Sequence, residues 1–386
     1  MATLLLLVIY SAFISLGLPD SVLGTAWPVM HGELHASVSS LAIVNVCVSL
    51  CTVFSSIFAQ KAMRKFGTYA VTAFSIVLTF TALFFISRVN SIYLLILFAL
   101  PLGLGGGAID TALNDYVARN YSPAQMNFLH AFWGLGTIIA PILLSRLLAS
   151  GGSWRSAYVI LSAIQTVIFI IVLLSKKLWK KDGSPYDEKK EKAYSIAELL
   201  RVPGALPSCL AFTFYAFEGV TISWIASYLV FGKEISASDA ASMTSMVYLG
   251  ITAGRIITGF IANRVKESIM IRTSQAFILL ALLVLMMTES HVLLYAIIFI
   301  MGFSFGPIYP AMVHQSVTCF DTKYSAGIIG LQMSFAYIGG MIITPFFGIL
   351  SDIFSLSFFP YYMLLLLALN FICTTLKNRR TRKTSF

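Results

Sequence analysis

Long apolar blocks separated by short polar gaps set the pattern of this chain. Twelve blocks recur, near 3–28, 38–60, 69–87, 91–118, 125–148, 155–176, 204–230, 239–262, 269–287, 291–317, 325–350 and 357–376. A helix needs roughly 20 residues to cross a hydrocarbon core, and the blocks meet that length. A transmembrane β-barrel would show short alternating segments instead. The pattern therefore predicts an all-α membrane protein with twelve transmembrane helices. The first block has no basic leader and no clean small-residue cleavage site, and it runs on through Gly17 and Pro19. It reads as a retained span.

The only long polar stretch, Lys176 to Arg201, falls between blocks six and seven. It divides the chain into an N-terminal six-helix bundle (1–176), a linker (177–203), a C-terminal six-helix bundle (204–376) and a basic tail (377–386). The halves echo each other. Gly136, Ile138, Ile139 and Pro141 recur 204 positions later as Gly340, Ile342, Ile343 and Pro345. Gly103, Gly107, Ile109 and Ala112 recur 199 positions later as Gly302, Gly306, Ile308 and Ala311. A duplicated six-helix unit joined by a central linker resembles the major facilitator architecture.

Composition supports the membrane reading: 58% of residues are hydrophobic and 11% charged, against about 25% charged in soluble domains. The net charge of +10 would suit a nucleic-acid binder, but its distribution does not. Of 26 Lys and Arg residues, four fall at the loops of one side, Arg255 lies inside a helix, and the remaining 21 gather on the other side. Such asymmetry orients membrane proteins with the basic side in the cytoplasm. Both termini are then cytoplasmic, the membrane is an inner or plasma membrane, and no nucleic-acid partner is expected. Cys47, Cys51, Cys209, Cys319 and Cys373 lie in apolar segments without metal or disulfide spacing and read as packing residues.

The chemistry concentrates on a few polar residues. The glycine run of block four reads Gly103, Leu104, then Gly105 to Gly107, and leads to Asp110 and Asn114. Small residues let helices approach. A carboxylate in a span costs about 2.5–3.5 kcal/mol on insertion scales and marks an ion or substrate path. Asn114 follows Asp110 by one helical turn and shares its face. Asp20 falls in Gly17-Leu-Pro-Asp20, about sixteen residues into block one and hence near the midplane at about 1.5 Å per residue. Gly17 and Pro19 predict a bent or unwound helix there. Fixed, hydrogen-bonded carboxylates are the structural alternative for both acids.

His130, Asn127 and Gln332 are candidates for hydroxyl recognition, and Trp133 and Tyr337 for stacking on a sugar face; packing is the competing role of each. Glu218 and Arg255 lie in spans seven and eight, at depths estimated to differ by roughly 10 Å. They are expected in a gate or a structural contact. Arg64, with Lys61 and Lys65, precedes Phe66-Gly67, where orientation or gating explains the charge. By the 199 offset Asp110 corresponds to Tyr309, so cation coupling is expected in the first half. No GxxxxGK[ST] loop, HExxH pattern or nucleophile elbow occurs. No enzyme activity and no cofactor are expected, and transport must run on an ion gradient or passively.

These residues resemble the fucose–proton symporter family of the major facilitator superfamily over most of both halves. The resemblance is carried by Gly17-Leu-Pro-Asp20 through Trp27-Pro28, Asp110-Thr-Ala-Leu-Asn114 and Asn127-Phe-Leu-His130. In the second half it is carried by Gly254-Arg255, Tyr309-Pro310, Asp321-Thr-Lys-Tyr324, Thr344-Pro345 and Ser351-Asp352. It implies that Asp20 and Asp110 couple transport to protons and that His130 stands where the family has a sugar-binding Gln. Three departures bear on this: Asp110 replaces a Glu, His130 an amide, and the Asn shortly before the first-span acid is absent. Sodium-dependent glucose transporters resemble the same family, so sodium is the alternative ion. The expected function is proton-coupled import of a monosaccharide or similar small polar solute by a monomer in the lipid bilayer. A multidrug or metabolite exporter is the alternative on the same fold. A nutrient sensor is the reading from a different class, with little cytoplasmic sequence to serve it.

Overall fold

The computed structural model describes residues 2–121, 123–179, 194–261 and 264–382. Most of the expected linker, including Lys180, Lys181 and Glu188 to Glu191, lies outside the described residues. Among those described there is no strand, and twelve helical stretches are long and apolar enough to cross a membrane. The first six are α1 (Ala2–Glu33), α2 (Ser40–Phe66), α3 (Thr68–Ile86), α4 (Ile92–Asn120), α5 (Pro123–Ala149) and α6 (Trp154–Leu174). A short α7 (Ile196–Arg201) opens with a capping box in which Ser195 and Glu198 satisfy each other's backbone N–H groups. The seventh span comprises α8 (Ala205–Phe214), α9 (Phe217–Ser227) and a π-helical turn, Tyr228–Gly232. α10 (Ala237–Ile261), α11 (Glu267–Met287), α12 (His291–Cys319), α13 (Thr322–Phe354) and α14 (Phe359–Arg382) complete the chain.

Packing groups the residues into two compact units. One contains Met1–Pro185 with Ile225–Ser245, and the other Tyr186–Trp224 with Met246–Phe386. In the first, α1 packs along α5, α2 and α3 pack on α4, and α6 closes on α3. In the second, α8 packs against α13 and α14, and α11 against α12. Large apolar side chains such as Ile57, Phe74, Phe260 and Ile342 remain exposed on the helices, as expected where lipid rather than water is the neighbour.

Of the bent or unwound helix expected in the first span, the unwound form does not occur. α1 is one continuous helix with Pro19 and Pro28 inside it. Proline removes the hydrogen bond to the carbonyl four residues earlier, which for Pro19 is that of Ser15. Gln165 on α6 supplies the missing donor: its Nε2 donates to the Ser15 carbonyl at 2.7 Å, while its Oε1 accepts from Thr79 at 2.7 Å. The chain thus stays helical past the proline, with a neighbouring amide satisfying the orphaned acceptor.

The break occurs instead in span seven, between Phe214 and Phe217. Its carbonyls are taken up locally and by neighbours. Ala216 N donates to Thr213 O, Glu218 N to Tyr215 O, and Asn370 Nδ2 on α14 to Ala211 O. Of the cysteines, Cys319 does not pack; it ends α12 and is exposed.

Candidate functional site

Two glycines set the geometry around Asp20. A Cβ on Gly17 would lie 2.2 Å from the Trp133 carbonyl oxygen, and one on Gly136 would lie 2.3 Å from that of Ile14. α1 and α5 therefore run backbone against backbone at this level. That approach brings the Trp133 indole to the acid, where Nε1 donates to Asp20 Oδ2 at 2.8 Å. Between Val8 and His31, Asp20 is the one exposed residue; its neighbours Leu18, Pro19, Ser21 and Val22 are buried. The N–H of Trp133 thus holds the carboxylate.

Asp110 lies on α4 of the same unit and interacts electrostatically with Asp20. Asn114 Nδ2 donates to Asp110 Oδ1 at 2.9 Å and also to the Asp110 carbonyl at 2.9 Å. The one-turn spacing thus yields a direct side-chain contact. One end of the amide fixes the carboxylate, and the other, Asn114 Oδ1, can accept from a hydroxyl. His130 is exposed on α5, one turn before Trp133, with its ring edge-on to buried Phe13 at 5.8 Å. Asn127 lies on α5, but its side chain is outside the described residues.

The first unit therefore brings Asp20, Asp110, Asn114, His130 and Trp133 onto three packed helices. Gln332 is placed differently. It is fully buried in the second unit, accepting from Ser316 at 2.9 Å and donating to Ser208 at 2.7 Å. Both ends of its amide tie α12, α13 and α8 together. Tyr337 is exposed on α13 of that unit. Arg64 is exposed near the end of α2.

Glu218 and Arg255 meet, against the depth estimate. Arg255 Nη2 lies 3.4 Å from Glu218 Oε1, and the Tyr215 hydroxyl donates to Glu218 Oε2 while lying 2.9 Å from the Phe305 carbonyl. The estimate assumes straight helices and counts only backbone rise. The break before α9 and the long arginine side chain close the gap.

The chain matches the Major Facilitator Superfamily profile over residues 9–344, with a second match over 208–385. It belongs to that superfamily, a family of membrane transporters rather than enzymes. Among relatives, it is 22% identical to Bypass of stop codon protein 6 of Saccharomyces cerevisiae, over 92% of this chain and 79% of that protein. It is 20% identical to the glucose/mannose transporter GlcP of Bacillus subtilis, over 88% of this chain and 86% of that protein. The crystal structure of a point mutant of the nucleoside transporter NupG superposes with a TM-score of 0.78 at 15% identity, covering 98% of this chain and 99% of that one. The fold is that of the superfamily, and the protein is a multi-pass membrane transporter.

Proposed function

We propose that this transporter imports a monosaccharide or a similar small polyhydroxylated solute together with a proton, by alternating access, as a monomer in an inner or plasma membrane with both termini cytoplasmic. The observation that carries the reading is Asp20: a carboxylate that is the one exposed residue between Val8 and His31 and is held by Trp133. Exposure to lipid would be costly, so such a group is best explained by a water-filled path. Asp110 is the second coupling carboxylate, oriented by Asn114. A proton neutralises an acid and lowers the cost of taking it through a state closed to water. His130, Asn114 and Asn127 contact the solute; Gln332 serves packing, as its two bonded ends suggest. Arg64 and the Glu218–Arg255 pair contribute to gating. GlcP, named for glucose and mannose, and NupG, named for nucleosides, make a hydroxyl-rich solute a natural choice.

The test is external pH in lightly buffered, de-energised cells expressing the protein, during addition of a sugar panel. Alkalinisation with one sugar supports proton symport. Coupling to sodium replaces coupling to protons if accumulation follows a sodium gradient and leaves pH unchanged. In Asp110→Asn, exchange should persist while acid-driven accumulation is lost; normal accumulation in that variant rules out the assigned role.

A further inference from the structure

The second unit holds a charged cluster of its own at the break in span seven. Glu218 lies in the first turn of α9, with its side chain 12% exposed, whereas that of Arg255 is 32% exposed. Tyr215 donates to one carboxylate oxygen, and Arg255 reaches the other at 3.4 Å. Charged N–H···O bonds usually measure about 2.7–2.9 Å, and an arginine can grip a carboxylate through two parallel N–H groups. This contact is stretched, and the guanidinium is the more open partner.

The backbone beneath Arg255 is fixed. A Cβ on Gly254 would lie 2.2 Å from the Phe303 carbonyl oxygen, so α10 presses directly on α12 there. Tyr309, half-buried, stands beside the cluster with its ring 5.8 Å from that of Tyr215 and 5.6 Å from that of Phe212. A guanidinium held in place, partly open and bordered by aromatic rings fits a small planar anion with a carbon body.

We infer that Arg255 binds a carboxylate of the transported solute, displacing Glu218, and that the solute is a hydroxylated monocarboxylate such as a sugar acid. Glu218, held on its other oxygen by Tyr215, is the group that the solute carboxylate replaces at the guanidinium. Among the described residues, Glu218 faces Tyr215 of its own span, Arg255 of α10 and Tyr309 of α12; Tyr337 of α13 interacts with Tyr309. The inference rests on the proposed import of a small polar solute and narrows its chemistry.

The experiment is counterflow in proteoliposomes containing the full chain, with radiolabelled glucuronate and radiolabelled glucose measured in parallel. The expected result is saturable glucuronate exchange that weakens roughly tenfold or more in Arg255→Gln. Glu218→Gln should act in the opposite direction, tightening glucuronate binding by removing the competing carboxylate. A pair with only a structural role would make both variants worse, and that result overturns the inference. Where Arg255→Gln does not fold, Arg255→Lys keeps the charge but not the fork, and should weaken glucuronate exchange while leaving the melting temperature near that of the parent. Unchanged exchange in Arg255→Lys overturns the inference. Exchange of glucose alone also overturns it and leaves the sugar-transporter reading intact; exchange of neither compound overturns both.

Discussion

The glycine run of α4 allows two adjacent residues to be set against each other. A Cβ on Gly107 would lie 2.2 Å from the Thr52 carbonyl oxygen, 2.4 Å from Ser55 Oγ and 2.9 Å from Ser56 Oγ. A Cβ on Gly106 would meet nothing nearer than Leu16 Cδ1 at 3.8 Å. Ordinary contact begins near 3.4 Å, so Gly107→Ala requires α2 and α4 to separate by about 1 Å, whereas Gly106→Ala requires nothing. Overpacking of this kind costs about 1–3 kcal/mol. Separation also stretches two interhelical bonds, Ser56 Oγ to Gly107 O at 3.1 Å and Thr52 Oγ1 to Gly103 O at 3.2 Å. Such bonds average about 0.6 kcal/mol each in membrane proteins. The expected loss for Gly107→Ala is therefore about 2–4 kcal/mol. Gly106→Ala should be neutral or slightly stabilising through helix propensity. Thermal unfolding of the two variants in the same detergent checks this. Equal melting temperatures would refute the argument, since both variants change composition identically and only the local approach of α2 differs.

Gln165→Leu should destabilise by about 1–3 kcal/mol, because it leaves the Ser15 carbonyl without its side-chain donor beside Pro19 and the Thr79 hydroxyl with only the Ile76 carbonyl; a melt unchanged from the parent would mean Pro19 needs no external donor. Replacing Trp133 by Phe removes the N–H to Asp20 while keeping most of the ring, so proton-driven accumulation should fall several-fold with little change in melting; retained accumulation would separate Trp133 from coupling. Gln332→Leu should lower stability by about 1–3 kcal/mol and leave the half-saturation for solute unchanged, whereas a weakened half-saturation in a stable variant would return Gln332 to the solute. For Glu218 and Arg255, a double replacement by Gln and Met should melt above at least one of the singles, since a lone buried charge costs more than none; strictly additive losses would argue against a direct pair.

How much of this is legible in the chain depends on whether the cause is local. Twelve spans follow from apolar length alone, and Asn114 finds Asp110 because helical spacing fixes both on one face. Pro19 illustrates the opposite case. Its local effect is to interrupt the bonding of α1, and local reasoning accordingly expects a bent or unwound segment. The outcome is decided by Gln165, 150 positions from Ser15 in sequence and the lone amide in its apolar span. That amide is the available signal: a buried amide needs partners, and a mid-span proline leaves a carbonyl without one. The same accounting applies to span seven, which carries no proline at its break. There the Thr213 carbonyl is taken by Ala216 N, and the Ala211 carbonyl, still bonded to Tyr215 N, gains a second donor from Asn370, 159 positions away. The charged residues follow the break: with the helix interrupted before Glu218, rise per residue no longer measures its depth, and Arg255 comes within reach. In this protein the interruption and the second charged group coincide, and a helix that gives up regular bonding in a span does so where polar side chains are present to receive it.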